Sequence, residues 1–379
     1  MTMEYDEINL IYPIVHPGAE KTQIKIRQGE IDLKSLFFSA TYTSPRLFVL
    51  DTTVGSLPSM QHFIREFNDE GLRGKDSIMI IDAGEEFKTI DTVLKIVKAA
   101  INRNYGRNMT FVGIGGGVVT DMTAFAASIF KRGARVELVP TTLLSMVDAA
   151  VGGKTGCDFD SYKNMIGTFF PASTIYMFPE FVKSLDDVQY RSGLGEVMKT
   201  ALLYSESLYD SLKKRRDDVF ERKSDIVFQM ITTCVRAKAN VVEQDFTEKN
   251  LRRNLNLGHT FAHALESYAG LGKVAHGDAV AWGISRALEL SSSIGLCHKS
   301  YRDEVINTLS LFGWETSPIH SALSNSEKDS ETIARDLISI MKKDKKNVDE
   351  NIRFVLQTGP CATLIKEVPE DKVLQVLKN

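Results

Sequence analysis

Along the first half of the chain, short apolar runs alternate with amphipathic ones: RLFVLDTT, SMQHFIREFNDEG, SIMIIDAG, TIDTVLKIVKAAINR, MTFVGIGGG. Runs of four to eight β-branched or apolar residues predict strands, and apolar spacings of three and four predict helices. Their alternation predicts βαβ units and a mostly parallel sheet up to about residue 170. Beyond residue 180 the spacing is almost wholly helical, as in SDIVFQMITTCVRAKANVVEQ and GDAVAWGISRALELSSSIG, with few strand-like runs. The Pro-flanked segment PASTIYMFPE separates the two patterns. The expected organisation is an α/β domain over residues 1–175, with a Rossmann-like, mostly parallel sheet, followed by a mainly α-helical domain over residues 176–379. The mixed-charge stretch SEKDSETIARD reads as a loop entering a solvated helix.

Length and charge narrow the classes. A chain of 379 residues exceeds what one core usually serves, in agreement with two domains. With 43% hydrophobic and 25% charged residues it is an ordinary globular protein, and its net charge of −3 offers no broad attraction to nucleic acid or anionic lipid. Four cysteines without a CxxC pair argue against a thiolate zinc site and a disulfide framework. The stretch MTMEYDEINLIYPIV lacks a basic region followed by an apolar run, and no stretch approaches 18 apolar residues. The expectation is a cytoplasmic enzyme or binding protein acting on a small metabolite, with neither nucleic acid nor membrane as partner.

Three features carry candidate chemistry. MTFVGIGGG is an apolar strand running into Gly115, Gly116 and Gly117, followed by a helical pattern; glycines there let a backbone approach a pyrophosphate at a helix start. The string does not complete GxGxxG, because Val118 occupies the last glycine position, so a plain tight turn stays open. His259 and His263 are four apart and share a helical face, and His276 follows after a Gly-rich turn. They are either packed histidines or metal ligands; Glu196 supplies a carboxylate of the right kind for a divalent ion with open positions. Lys154, Lys163, Lys199, Lys238, Arg132 and Arg252 each sit in or beside a motif, and Lys199 lies one helical turn after Glu196, a grouping suited to an anionic ligand.

The ordered set GGGVVTD, RGARVELVPTTLLSMVDAAVGGKTG, KNMIG, SGLGEVMK, LRRNLNLGHTFAHALE and HGDAVAWG resembles the dehydroquinate synthase family of sugar phosphate cyclases, from GEEFK at residue 84 to DKK at residue 344. The resemblance implies NAD and one divalent metal, zinc or cobalt, a homodimer, and a seven-carbon keto acid phosphate as substrate. It implies transient oxidation, loss of phosphate, re-reduction and intramolecular aldol closure. It picks out Glu196, His259 and His276 as metal ligands. It assigns NAD contacts to Glu85, Lys88, Gly116, Gly117, Asp121, Thr141, Thr142, Lys154, Lys163, Phe181 and Ser184. Substrate contacts carry over to Asp148, Lys154, Asn164, Lys199, Lys238, Arg252, Asn256 and His263. The resemblance also implies that Arg132 reaches the phosphate from a partner subunit and that Lys346 or its neighbour Lys345 is a further phosphate contact.

The family also contains cyclases that make 2-epi-5-epi-valiolone, 2-deoxy-scyllo-inosose or amino-dehydroquinate, and the chain departs from the usual strings. Thr120 stands where GGGVIGD has its last glycine, VDAAVGG replaces VDSSVGG, and GCDFDSYKN replaces GVNHPxGKN. Asn256, His263 and the Lys238-to-Arg252 spacing follow the dehydroquinate pattern. A metal-dependent polyol dehydrogenase of the same fold and a non-catalytic nucleotide-binding protein are the readings from outside the cyclases.

Overall fold

The computed structural model describes residues 5–16, 19–38, 44–65, 67, 75–160, 162–270, 272–324, 328–343 and 352–378. The chain divides into two compact units, Met1–Tyr190 with Arg222–Thr247, and Arg191–Glu221 with Glu248–Asn379. The units are discontinuous in sequence. The helix Ser224–Gln244 belongs to the first unit, so no single cut such as 175/176 separates them.

Among the described residues the first unit has nine strands: β1 (Tyr5–His16), β2 (Ala19–Arg27), β3 (Arg46–Asp51), β4 (Ser77–Ile81), β5 (Thr110–Gly115), β6 (Arg135–Pro140), β7 (Lys154–Phe159), β8 (Tyr162–Phe169) and β9 (Thr174–Met177). Seven form one sheet in the order β1-β2-β9-β6-β5-β3-β4, parallel throughout except for β1 against β2. Every residue of β5 is buried, as expected of a strand covered on both faces. The chain runs from β3 to β4 on one side and then crosses to β5, β6 and β9 on the other. The order therefore reverses between β3 and β5, and in open α/β sheets that reversal opens a crevice beyond the carboxyl ends of the two strands. Asp51 ends β3, and Gly115, Gly116 and Gly117 follow one another at the end of β5. The strands β7 and β8 form a separate antiparallel hairpin, which the βαβ reading did not anticipate.

The second unit is mainly helical. Its central helix, His276–Ser293, is buried on nearly all sides, as its run of apolar and small residues dictates. Helices Asp187–Tyr204 (from Arg191 onward) and His259–Ala269 also belong to this unit. Among the described residues one antiparallel hairpin, β10 (Ile352–Gly359) with β11 (Ala362–Val368), interrupts the helical pattern. Among the described residues no helix is long and apolar enough to cross a membrane.

Candidate active site

In the first unit, Gly116 is the N-cap of the helix Gly117–Ile129, with extended backbone and no side chain over the first amides. A Cβ on Gly115 would stand 2.5 Å from Val119, and one on Gly116 3.1 Å from Thr142, so glycine lets the turn close tightly over the helix start. The amides at this N-terminus, with no side-chain cap, suit a pyrophosphate. Thr120, the departure from the usual string, donates its hydroxyl to Gly117 O at 3.1 Å and so folds back on its own helix. Thr141 N donates to Gly115 O at 2.9 Å, and Thr142 exchanges capping bonds with Ser145, holding the turn beside the glycines. Ser184 Oγ donates to the carbonyl of buried Phe181, so this hydroxyl supports its own turn.

Around the same helix a polar network ties three segments together. Lys88, buried, donates from Nζ to Asp121 Oδ2 at 2.8 Å and to Asn164 Oδ1 at 2.7 Å. Burial alone would depress Lys88; the carboxylates of Asp121, Glu85 and Asp158 outweigh it and raise its pKa above the ordinary lysine value. Asn164 sits in left-handed backbone (φ 53°), and its N–H is accepted by Asp158 Oδ1 at 2.7 Å. Asp158 belongs to the unusual GCDFDSYKN segment and was not singled out by sequence, nor was Asp51 at the crevice. Lys163, beside Asn164, and Lys154 lie on the β7–β8 hairpin. Lys238, nearly buried on helix Ser224–Gln244, donates to both the carbonyl and Oδ1 of Asp148 at 2.6 Å each. Arg132 stands exposed on the turn after the glycine-capped helix, in left-handed backbone (φ 66°) like Lys131 before it.

In the second unit Glu196, His259 and His276 each offer a ligand atom, all within 4.8 Å of one another. Glu196 is 1% exposed, and its Oε1 lies 3.7 Å from His259 Nε2 and 3.4 Å from His276 Nε2. Both rings are held from behind: His259 Nδ1 is 3.2 Å from Leu257 O, and His276 Nδ1 is 3.2 Å from Glu266 Oε1. These contacts turn each Nε2 toward Glu196, where it could serve a metal, the arrangement usual behind metal-bound imidazoles. Burial, reinforced by Lys199, His263 and His276, holds His259 well below the usual histidine pKa and so in the neutral form a metal requires. His276 is pushed up to about 10, its bonds to Glu196 and Glu266 overcoming burial. Lys199, also buried, forms an ion pair with Glu196. Two imidazoles and one carboxylate fit a divalent ion such as zinc and leave coordination positions for ligand oxygens.

Beside this cluster His263 stacks edge-on to His259, ring centroids 5.4 Å apart. Arg252, on the turn Leu251–Asn256, is buried. Asn256 Nδ2 donates to Glu248 Oε1 at 2.7 Å. Glu248, in left-handed backbone (φ 59°), and Glu266 were both missed in the sequence. A signal for Glu266 existed: it follows His259 by seven residues and His263 by three, on the same helical face. Lys345 and Lys346 lie outside the described residues.

Residues 78–192 match the family model for the 3-dehydroquinate synthase N-terminal region, and residues 193–347 the model for its C-terminal region. A protein of Acidithiobacillus ferrooxidans named 3-dehydroquinate synthase is 35% identical over 364 residues, 95% of this chain and 96% of that one. A 2-epi-5-epi-valiolone synthase from Streptomyces hygroscopicus, solved with NAD+ and Zn2+ bound, superposes with a TM-score of 0.81 at 25% identity, over 97% of this chain and 98% of that one. A 2-deoxy-scyllo-inosose synthase solved with carbaglucose-6-phosphate, NAD+ and Co2+ shares the fold, with a TM-score of 0.77 at 22% identity over 98% and 99% of the two chains. With a glycine-capped helix beyond a parallel sheet, a carboxylate–bis-imidazole cluster in a helical unit, and both halves matched by one family, the chain belongs to the 3-dehydroquinate synthase family.

Proposed function

We propose that the chain is a 3-dehydroquinate synthase, converting 3-deoxy-D-arabino-heptulosonate 7-phosphate to 3-dehydroquinate and phosphate in the shikimate pathway to aromatic amino acids. The observation that carries the reading is the Glu196–His259–His276 cluster, in a chain whose full-length relatives bear that name. When bound, NAD and a divalent ion, zinc or cobalt, supply reversible oxidation of a substrate alcohol and polarisation of its oxygens.

The chain's own residues then bind and orient. Gly116 and Gly117 offer amides to the nucleotide pyrophosphate, with Glu85, Lys88, Asp121, Thr141, Thr142, Lys163, Phe181 and Ser184 around it. Lys88 holds Asn164 by hydrogen bond, and Asp148 fixes the Lys238 ammonium. Lys154, Lys199, Lys238 and Arg252 are assigned to the substrate's carboxylate and phosphate, since a doubly anionic ligand requires several cations. With a divalent ion held by Glu196, His259 and His276, Lys199, which pairs with Glu196 here, would contact a substrate oxygen. Asn256, oriented by Glu248, contacts the substrate, and His263 carries a proton to or from it. The catalytic power of such a site lies in positioning and charge stabilisation. We place the enzyme in the cytoplasm as a homodimer, with Arg132 and Lys345 or Lys346 as further phosphate contacts, Arg132 from the partner subunit.

The test is product analysis by mass spectrometry after incubation with NAD, zinc and the seven-carbon keto acid phosphate. Stoichiometric phosphate and dehydroquinate without net NADH are expected. Net NADH without phosphate release would identify a dehydrogenase instead.

A further inference from the structure

Glu196 and His276 come from different helices, and the spacing between those helices sets the spacing between the ligands. Glu196 is preceded by Gly195 on helix Asp187–Tyr204, and His276, the first residue of helix His276–Ser293, is followed by Gly277. The two glycines are where the backbones touch. A Cβ on Gly195 would stand 2.3 Å from Gly277 O, and one on Gly277 1.8 Å from Ser192 O. Gly277 N donates to Ser192 Oγ at 3.1 Å. Contact this close brings the backbones together but does not by itself stop one helix rotating or sliding on the other.

A fork-to-fork ion pair does. Arg191 Nε donates to Asp278 Oδ1 at 3.0 Å and Arg191 Nη2 to Asp278 Oδ2 at 2.8 Å, joining a residue five positions before Glu196 to one two positions after His276. Trp314 Nε1 donates to the same Asp278 Oδ1 at 3.1 Å, fixing the carboxylate from a third segment. Two parallel bonds between planar groups restrict rotation as well as distance, which a lysine point charge would not. The arginine side chain is 38% exposed and the carboxylate 18%, and a pair that reaches the surface adds little to global stability. Its consequence is therefore local geometry.

We propose that Arg191 and Asp278 are positioning residues, a clamp across the Gly195–Gly277 crossing that holds Glu196 and His276 at ligating distance and so sets the affinity for the divalent ion. This rests on the metal reading of the Glu196–His259–His276 cluster. Neither residue ligates.

The test compares wild type with R191M, R191K and D278N, reading zinc affinity by competition with a chromophoric chelator and the Tm of each metal-free protein. R191M and D278N should weaken zinc binding roughly 10-fold or more, the range found when groups supporting metal ligands are removed, and R191K should fall between. The metal-free Tm should stay within about 3 °C of wild type, since a partly exposed ion pair is being lost. Zinc affinity in R191M within about twofold of wild type overturns the clamp. So does a metal-free Tm lower by about 10 °C or more, which marks a general support of the fold. Failure of the wild type to take up one zinc per chain instead overturns the metal reading beneath it, and is recognised because no substitution is involved.

Discussion

His276 Nδ1 lies 3.2 Å from Oε1 of Glu266, a carboxylate 4% exposed and carried by the helix that begins at His259. One side chain thus fixes the ring orientation of one proposed ligand from the helix that supplies another. Replacing it should loosen the metal site without touching a ligand. E266A is expected to raise the zinc dissociation constant roughly 10- to 100-fold, and E266Q less, because glutamine can still accept a bond from Nδ1. Chelator competition reads the change, and equal affinity for all three proteins would refute the role.

The same pair gives the metal-free protein a pH signature. The His276 pKa is raised to about 10 by Glu196 and Glu266, above the value of about 6.5 it has in an unfolded chain. A group whose folded pKa is raised contributes stability that is complete below pH 6.5 and is lost as pH rises through about 10. Urea midpoints of the metal-free protein should fall between pH 7 and 10 more steeply in wild type than in H276N. Parallel profiles for the two proteins would contradict this.

Lys88 and Asp121 form an ion pair with side chains 6% and 17% exposed, and breaking it leaves one charge buried alone. K88M should cost about 3 kcal/mol of stability, and D121N in the K88M background should recover part of that loss. A double-mutant cycle by urea denaturation reads the coupling, and strictly additive single effects would show that the pair is not coupled. K88M should also weaken NAD binding, since Lys88 holds Asn164 and faces Asp121 at the glycine-capped helix.

Gly116 tests the nucleotide placement. A Cβ there would already press on Thr142 at 3.1 Å, and valine's methyl groups would stand over the helix amides. G116V should lose most of its NAD affinity, by about 10-fold or more if one close pyrophosphate contact is removed, with an unchanged far-ultraviolet circular dichroism spectrum. Calorimetric titration giving wild-type affinity would move the nucleotide elsewhere.

What was legible in the sequence was local. The strand, glycines and helix of residues 109–129 are contiguous, and His259 and His263 share a helical face because four residues make about one turn. The parallel sheet followed from the alternation of apolar periods. What was not legible depends on segments meeting in space. Lys238 bonds Asp148 across 90 positions, Arg191 meets Asp278 across 87, and Asp158 pins Asn164 through a hairpin that βαβ periodicity does not announce. The return of residues 222–247 to the first unit is of the same kind, since their amphipathic pattern gives helix type but not the surface it covers. The β10–β11 hairpin, strands of eight and seven residues, lies after a long run of helical periodicity and was not singled out.

The central claim is that this member of the family acts on a carboxylated sugar acid phosphate. The measurement is the ratio of kcat/KM for 3-deoxy-D-arabino-heptulosonate 7-phosphate to that for sedoheptulose 7-phosphate, with NAD and zinc, by continuous phosphate release. A site built with cations for a carboxylate leaves them unmet by a substrate that lacks one. The ratio is expected to be at least about 10³, with 3-dehydroquinate as product. Comparable or faster turnover of sedoheptulose 7-phosphate would contradict the account and place the chain among the other cyclases of its family.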